Sequence, residues 1–353
     1  MKKLILICLV LLLTGCVDKE IIDDINIEVA VGYDLLEGSG KEKYRGTILF
    51  QEFQPDQSLI NRTFSGDGAL RQDLILDVAK QSSEPVVTGG LKLAIFGPEM
   101  AKKGVYDLID SFQRDASIGA RLFVVTSEGK SEDILKGNYG TRGNSTYIYN
   151  LIQHNIQQRD IPTTNLHLAS RDFYQKGRDP FLPRIRQISN EKVEIAGISL
   201  FQDDKEVEIL PVEQMFFFKL LVDKYSEGNF DVKLSENELA AVKSIKSKHI
   251  IDFKGKKVTF HIKIRGIVQE YTGKALTPEA LKRIEKNLQT QIESECLKLL
   301  KKFQELGIDP VGLGHRMKTK NRNFDFKKWK DDYKNLSFEV KCDVVIQETG
   351  VIE

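Results

Sequence analysis

The chain has 353 residues, 41% of them hydrophobic, with 52 Lys and Arg against 51 Asp and Glu. That is more than one core usually serves, so two or three domains are expected, and the four cysteines form neither a disulfide framework nor a metal-site spacing. The charge is unevenly spread: residues 16–242 hold 26 basic against 36 acidic side chains, whereas residues 243–335 hold 23 against 11, which points to acidic and basic parts in different domains.

The first sixteen residues read as a secretory signal. Lys2 and Lys3 precede an unbroken apolar run from Leu4 to Leu13, too short for the ~20 residues of a bilayer crossing. The ending Leu13-Thr14-Gly15-Cys16 resembles the bacterial lipobox, in which the peptide is cut before the cysteine and the thiol receives a diacylglycerol. Leu13, Thr14 and Gly15 are then the signal-peptidase recognition residues, and Cys16 is the lipidated first residue of the mature chain. No later apolar run reaches membrane length.

Beyond a short acidic tether, residues 26–35 and 43–53 read as two strands joined by a turn at Glu37-Gly38-Ser39-Gly40. Leu70, Leu74, Ile75 and Val78 predict a helix between Asp67 and Ser83. Next come a strand at 91–96, a helix from Pro98 to Phe112 and a strand at 120–126, a rhythm expected of a mixed sheet with helices against it. Helices at 145–158 and 165–176 follow, and Pro180 and Pro183 mark a boundary. A hairpin at 191–201 and 205–210 turns at Gln202-Asp203-Asp204 and leads into a helix near 212–225. Val258, Phe260, Ile262 and Ile264 alternate with polar residues in a half-buried strand whose phase breaks at Gly266, as at a bulge. Thr277 as N-cap, Pro278 as first residue and a stripe from Leu281 to Leu306 predict a long helix ended by Gly307. A basic helix with Phe326, Trp329, Tyr333 and Leu336 on one face and a strand alternating from Phe338 to Ile346 complete the chain. The expectation is an α/β (α+β) protein of three consecutive domains, 16–190, 191–242 and 243–353, each a mixed or antiparallel sheet packed with helices, after the signal at 1–15.

Residue chemistry argues for binding over catalysis. The five histidines show no ligand spacing, so no metal is expected. Ser127-Glu128-Gly129-Lys130 lacks the companion motifs of the penicillin-binding enzymes, and the glycine pairs at 66/68 and 312/314 lack the third glycine and the Gly-Lys-Ser/Thr of phosphate loops. The aromatics between Arg316 and Lys334 fall at helical spacing and face a core, so nucleic acid is not an expected partner. Phosphate groups suit the basic segment, and export favours lipid headgroups as their source. Cys296 and Cys342 lie on apolar faces, as buried thiols or, in an exported protein, a disulfide.

Three stretches resemble the Ger(x)C lipoproteins, the C subunits of nutrient germinant receptors of spore-forming bacteria. They are Cys16-Val17-Asp18-Lys19-Glu20-Ile21 with Val31-Gly32-Tyr33-Asp34; Glu194-Ile195-Ala196-Gly197 through Phe201-Gln202-Asp203-Asp204-Lys205; and Asp309-Pro310-Val311-Gly312-Leu313-Gly314 with Trp329 and the strand from Phe338. Tryptophan is common in the family where Val17 stands. The resemblance implies a three-domain α/β lipoprotein without catalytic activity or cofactor beyond the diacylglycerol and N-acyl lipid on Cys16. It implies lipid anchoring at the outer face of the spore inner membrane, two integral-membrane partner subunits of A and B type, and a role in nutrient-triggered germination. Asp309, Gly312, Gly314 and Trp329 are then structural motif positions. The alternative, a solute-binding lipoprotein of an importer, needs two similar lobes around a cleft.

Overall fold

In the computed structural model, residues 25–36, 43–54 and 59–347 are described. The signal, Cys16 and the Glu37–Gly40 turn lie outside them. Strand β1 (Asn26–Leu35) organises a nine-stranded sheet with β2 (Tyr44–Phe53), β3 (Leu59–Gly68), the two-residue β4 (Val86–Val87), β5 (Leu93–Phe96), β6 (Phe123–Ser127), β7 (Phe181–Ser189), β8 (Lys192–Gln202) and β9 (Lys205–Leu210). The order is β3-β2-β1-β5-β6-β7-β8-β9, with β4 also beside β1. The centre β1-β5-β6-β7 is parallel, and both flanks are antiparallel hairpins. Parallel neighbours need crossovers that cover both faces, so β1, β5 and β6 bury apolar residues at consecutive positions rather than at alternate ones. Val31, Ala94, Phe96 and Val124 enter one core, while Ala30, Leu93, Ile95, Phe123 and Val125 enter the other.

The crossovers are α1 (Arg71–Ala79), α2 (Pro98–Lys103), α3 (Tyr106–Arg114), α4 (Ser131–Leu135), α5 (Asn144–Gln158) and α6 (Leu166–Tyr174). The single helix expected from Pro98 to Phe112 is two, because Gly104 takes φ +136° and the chain turns there. Strand β3 was not anticipated; it is edge-like and half polar, with Asn61, Arg62, Thr63 and Ser65 in its run. Pro183 lies inside β7, where pairing to β6 starts only at Arg184. The chain passes residue 190 within the β7–β8 hairpin, so the division proposed there is one of chain and not of sheet.

The second sheet, in order β10-β11-β12-β13, comprises β10 (Tyr225–Ser235), β11 (Glu238–Lys254), β12 (Lys257–Tyr271) and β13 (Ser337–Gln347). The first three form an antiparallel meander, of which sequence alternation revealed only β12; β13 returns parallel to β12 after the helical crossover α8 (Pro278–Leu306), α9 (Leu313–Lys320) and α10 (Phe326–Lys334). The bulge sits on β11, not at Gly266: Ser244 pairs with Gly266 and Lys246 with Arg265, so the extra residue is at position 245 of the partner strand. Helix α8 starts at Thr277, whose side chain accepts from Ala280 N, and ends at Gly307 with φ +70°. Its buried stripe from Leu281 to Phe303 lies in the same core as the inward residues of all four strands. Cys296 and Cys342 are free buried thiols in this core, and burial pushes Cys342 up to about 12. Three units of sequence thus share two dissimilar sheets: residues 191–242 give β8 and β9 to the first, β10 to the second, and the helix α7 (Val212–Val222) between them.

Every residue of α7 from Met215 to Val222 is buried. Phe218 meets Phe181 of β7 at 5.1 Å and Phe303 of α8 at 5.7 Å, edge to face in both cases, so one ring joins both halves. Phe303→Ala should remove about 3–5 kcal/mol of stability. Urea denaturation checks this, with loss of cooperativity between the halves as an accompanying sign.

Candidate functional site at the Asp309 loop

Where α8 stops at Gly307, the next residues fold around a carboxylate. Asp309 is buried, and its Oδ1 accepts from the N–H groups of Gly312 and Leu313, each at 2.9 Å, while Oδ2 accepts from Gly314 N at 2.8 Å. Three donors at the start of α9 are thereby satisfied by one side chain, as a helix N-terminus requires. Gly312, with φ +76°, is the N-cap residue that turns the chain into α9.

The loop also holds the first half of the molecule. Asp309 N donates to Asp179 Oδ2 at 2.6 Å, Asp179 N donates to Asp309 O at 3.0 Å, and His315 N donates to Gly177 O at 2.9 Å. Gly314 is needed for this approach: a Cβ there would lie 2.7 Å from the Trp329 indole and 3.0 Å from Gly177 Cα. The sequence-derived positions Asp309, Gly312, Gly314 and Trp329 are therefore brought together. Sequence reading missed their counterparts Gly177 and Asp179, in the segment between α6 and β7. The available signal is the turn-type run Gly177-Arg178-Asp179-Pro180, of which the sequence reading takes only Pro180, as a boundary mark. Arg178 backs Gly312 and pairs with Asp172 at 3.0 Å.

Beside this junction lies a cavity of about 680 Å³ whose lining includes Arg178, Asp179, Trp329, Lys330 and Tyr333. Burial pushes Asp309 up to about 7 and Asp179 up to about 6; the backbone N–H donors oppose the rise in both, while the Asp179 carboxylate adds to the rise at Asp309 and that of Asp203 to the rise at Asp179. With both Asp309 oxygens engaged by backbone donors, the pair is arranged to hold chain segments. Ser127 donates to the Gly129 and Phe96 carbonyls, so its hydroxyl is committed to a turn rather than poised beside Lys130. Among the described residues, no three His, Cys, Asp or Glu side chains form a metal-binding group. His249 is buried, hydrogen-bonded to Leu220 O at 2.8 Å, and burial pushes it down to about 4.

Comparison with known proteins covers both halves. Residues 18–187 match the spore germination protein N-terminal domain family, and residues 196–350 match the spore germination B3/GerAC-like C-terminal family. The Bacillus cereus spore germination protein GerQC is 30% identical over the whole of both chains. The putative spore germination protein YfkR of Bacillus subtilis (strain 168) is 24% identical over all of this chain and 98% of its own. The crystal structure of the GerBC protein superposes with a TM-score of 0.59 over 90% of this chain and 98% of that one, at 16% identity, a likeness of fold.

Asp309→Ala would leave three backbone donors without their acceptor and should cost about 3 kcal/mol, with faster hydrogen exchange at Gly312–Gly314 and at residues 177–179. The junction should also titrate. A carboxyl raised in the folded state keeps its proton where the unfolded chain has lost it, so folding is weakened as pH rises from about 4 to 7. Glu28, buried against Arg71 and raised to about 7, acts with the same sign, and His249 with the opposite sign between about 4 and 6.5. The difference in melting temperature between wild type and Asp179→Asn, followed from pH 4 to 8, isolates the junction: the variant should lose less on alkalinisation.

Proposed function

We propose that this chain, which belongs to the GerAC family of spore germination proteins, is a non-catalytic, lipid-anchored subunit of a nutrient germinant receptor. Cys16 holds it at the outer face of the spore inner membrane, and it assembles there with two integral-membrane subunits. No helix among the described residues is long and apolar enough to cross a membrane, so attachment falls to the acylated cysteine, whose two diacylglycerol chains suffice for stable anchoring. The observation that supports this reading best is the collinear match of both halves to the two germination families, with the motif Asp309, Gly312 and Gly314 at the contact between those halves. A protein whose most specific motif fixes two folded halves against each other offers partner subunits a rigid surface. Its contribution to the receptor is assembly and transmission.

Spores lacking the protein should lose the response to one class of nutrient and keep germination by calcium dipicolinate. Spores carrying Cys16→Ala should show the same loss, with the protein recovered in the soluble fraction. Germination on single amino acids and sugars, in a strain without redundant receptors, measures this. Unchanged responses to every nutrient on deletion would refute the receptor assignment, and a Cys16→Ala protein that remains with membranes would refute the anchor.

A further inference from the structure

The four-stranded sheet has one face inside the core and one face open. Its inner face carries Val242, Ser244, Ser247, His249, Ile251, Phe260, Ile262, Ile264, Val340 and Cys342, all buried. On the outer face Lys246 stands directly opposite Arg265, and Lys248 directly opposite Lys263, all four exposed. Directly opposed like charges on neighbouring strands destabilise a sheet. Two such pairs in succession make a square of four cations. The acids near it are few: Asp343 approaches Lys263 at 4.0 Å, both side chains being largely exposed, and Glu227 lies on β10 beyond Lys246. Elsewhere on the same face several charges are matched: His261 pairs with Asp252 at 3.3 Å, and Lys257, which stands opposite Lys254, shares Glu339 with Lys341. Among the described residues, Lys246, Lys248 and Arg265 have no acidic partner within ion-pair distance.

Flanking the square are two exposed aliphatic side chains, Ile250 at 54% exposure and Val345 at 45%. Val345 is the register partner of Arg265, and Ile250 follows Lys248 by two residues on the same face. Strands of 17 and 15 residues give this face a length of roughly 50 Å at ~3.3 Å per residue. Cations set among short exposed aliphatics on an extended sheet suit a layer of phosphate headgroups above hydrocarbon, where each Lys or Arg near the surface contributes and the aliphatics enter the boundary.

We propose that the outer face of the second sheet, centred on Lys246, Lys248, Lys263 and Arg265, lies against a phospholipid surface bearing anionic headgroups. The contact is separate from the anchor at Cys16 and fixes orientation, which an anchor on a tether does not. Headgroup phosphates supply the counter-charge that the sheet itself lacks.

The test uses the chain from residue 16 with Cys16→Ala, which keeps every described residue. It should bind vesicles containing one-third phosphatidylglycerol and bind phosphatidylcholine vesicles at least tenfold less, with binding to the former falling steeply between 50 and 300 mM salt. K248E/R265E turns both like-charge pairs into opposite-charge pairs. It should lose about 30-fold or more in binding while its melting temperature rises by about 1–4 °C. K282E/K286E, the same charge change on the outward side of α8, should bind within about twofold of wild type. Equal binding to both vesicle types, unchanged binding of K248E/R265E, or binding to poly-glutamate without binding to anionic vesicles would each overturn the proposal.

Discussion

A helix with no polar face has to be covered on every side, and α7 is such a helix. One β-sheet covers only part of its circumference. The structure meets the requirement by placing α7 against β8 of the first sheet and against β10, β11 and α8 of the second half. Much of the remaining architecture follows. The polypeptide must leave the first sheet before α7 and open the second sheet after it, and the two halves must stay together or expose a run of three phenylalanines, Phe216 to Phe218. Even the lysine in the buried part of the helix obeys: Lys219 is buried, and its ammonium donates to the carbonyls of Ile156 and Arg159 at the end of α5.

The Asp309 junction is the second tie between the same halves, and it works by a different chemistry. Aromatic packing around α7 is tolerant in direction, whereas the two hydrogen bonds between 179 and 309, one from backbone to backbone and one from the Asp309 N–H to the Asp179 carboxylate, fix one register. Together they give strength and orientation. The glycines belong to the second of these. At Gly314 and Gly177 the backbones come close enough that a single methyl on either would push the segments apart. Close approach of backbones thus accounts for the glycines of the motif.

Elements with one dry face and one wet face were legible in the sequence. α8 announced its N-cap, its stripe and its terminal glycine, and β12 and β13 announced their alternation, because each sees water on one side only. The β8–β9 turn was legible for the same local reason, with Asp203 at φ +56° in the position expected to turn. The failures have a common physical origin in partners that are distant along the chain. Strand β3 is defined by its ladder with β2 and not by apolar spacing, and β10 and β11 mix lysines, serines and alanines in a way that reads as loop until they pair. In the candidate site, Asp309, Gly312, Gly314 and Trp329 came from a family resemblance. Asp179 could not be found from either half alone, since its meaning lies in a contact 130 positions away.

The placement of β13 has a consequence for how the molecule comes into being. Its ladder partner β12 is finished by residue 271, yet β13 begins only at residue 337, and the pairing is parallel. Until residues 337–347 have emerged, β12 is an open edge and α8 has only part of its apolar stripe covered. Sequence-distant closure of this kind is slow. A truncation that removes β13 is therefore worse than the loss of a tail: it leaves a sticky strand edge in the company of other nascent chains.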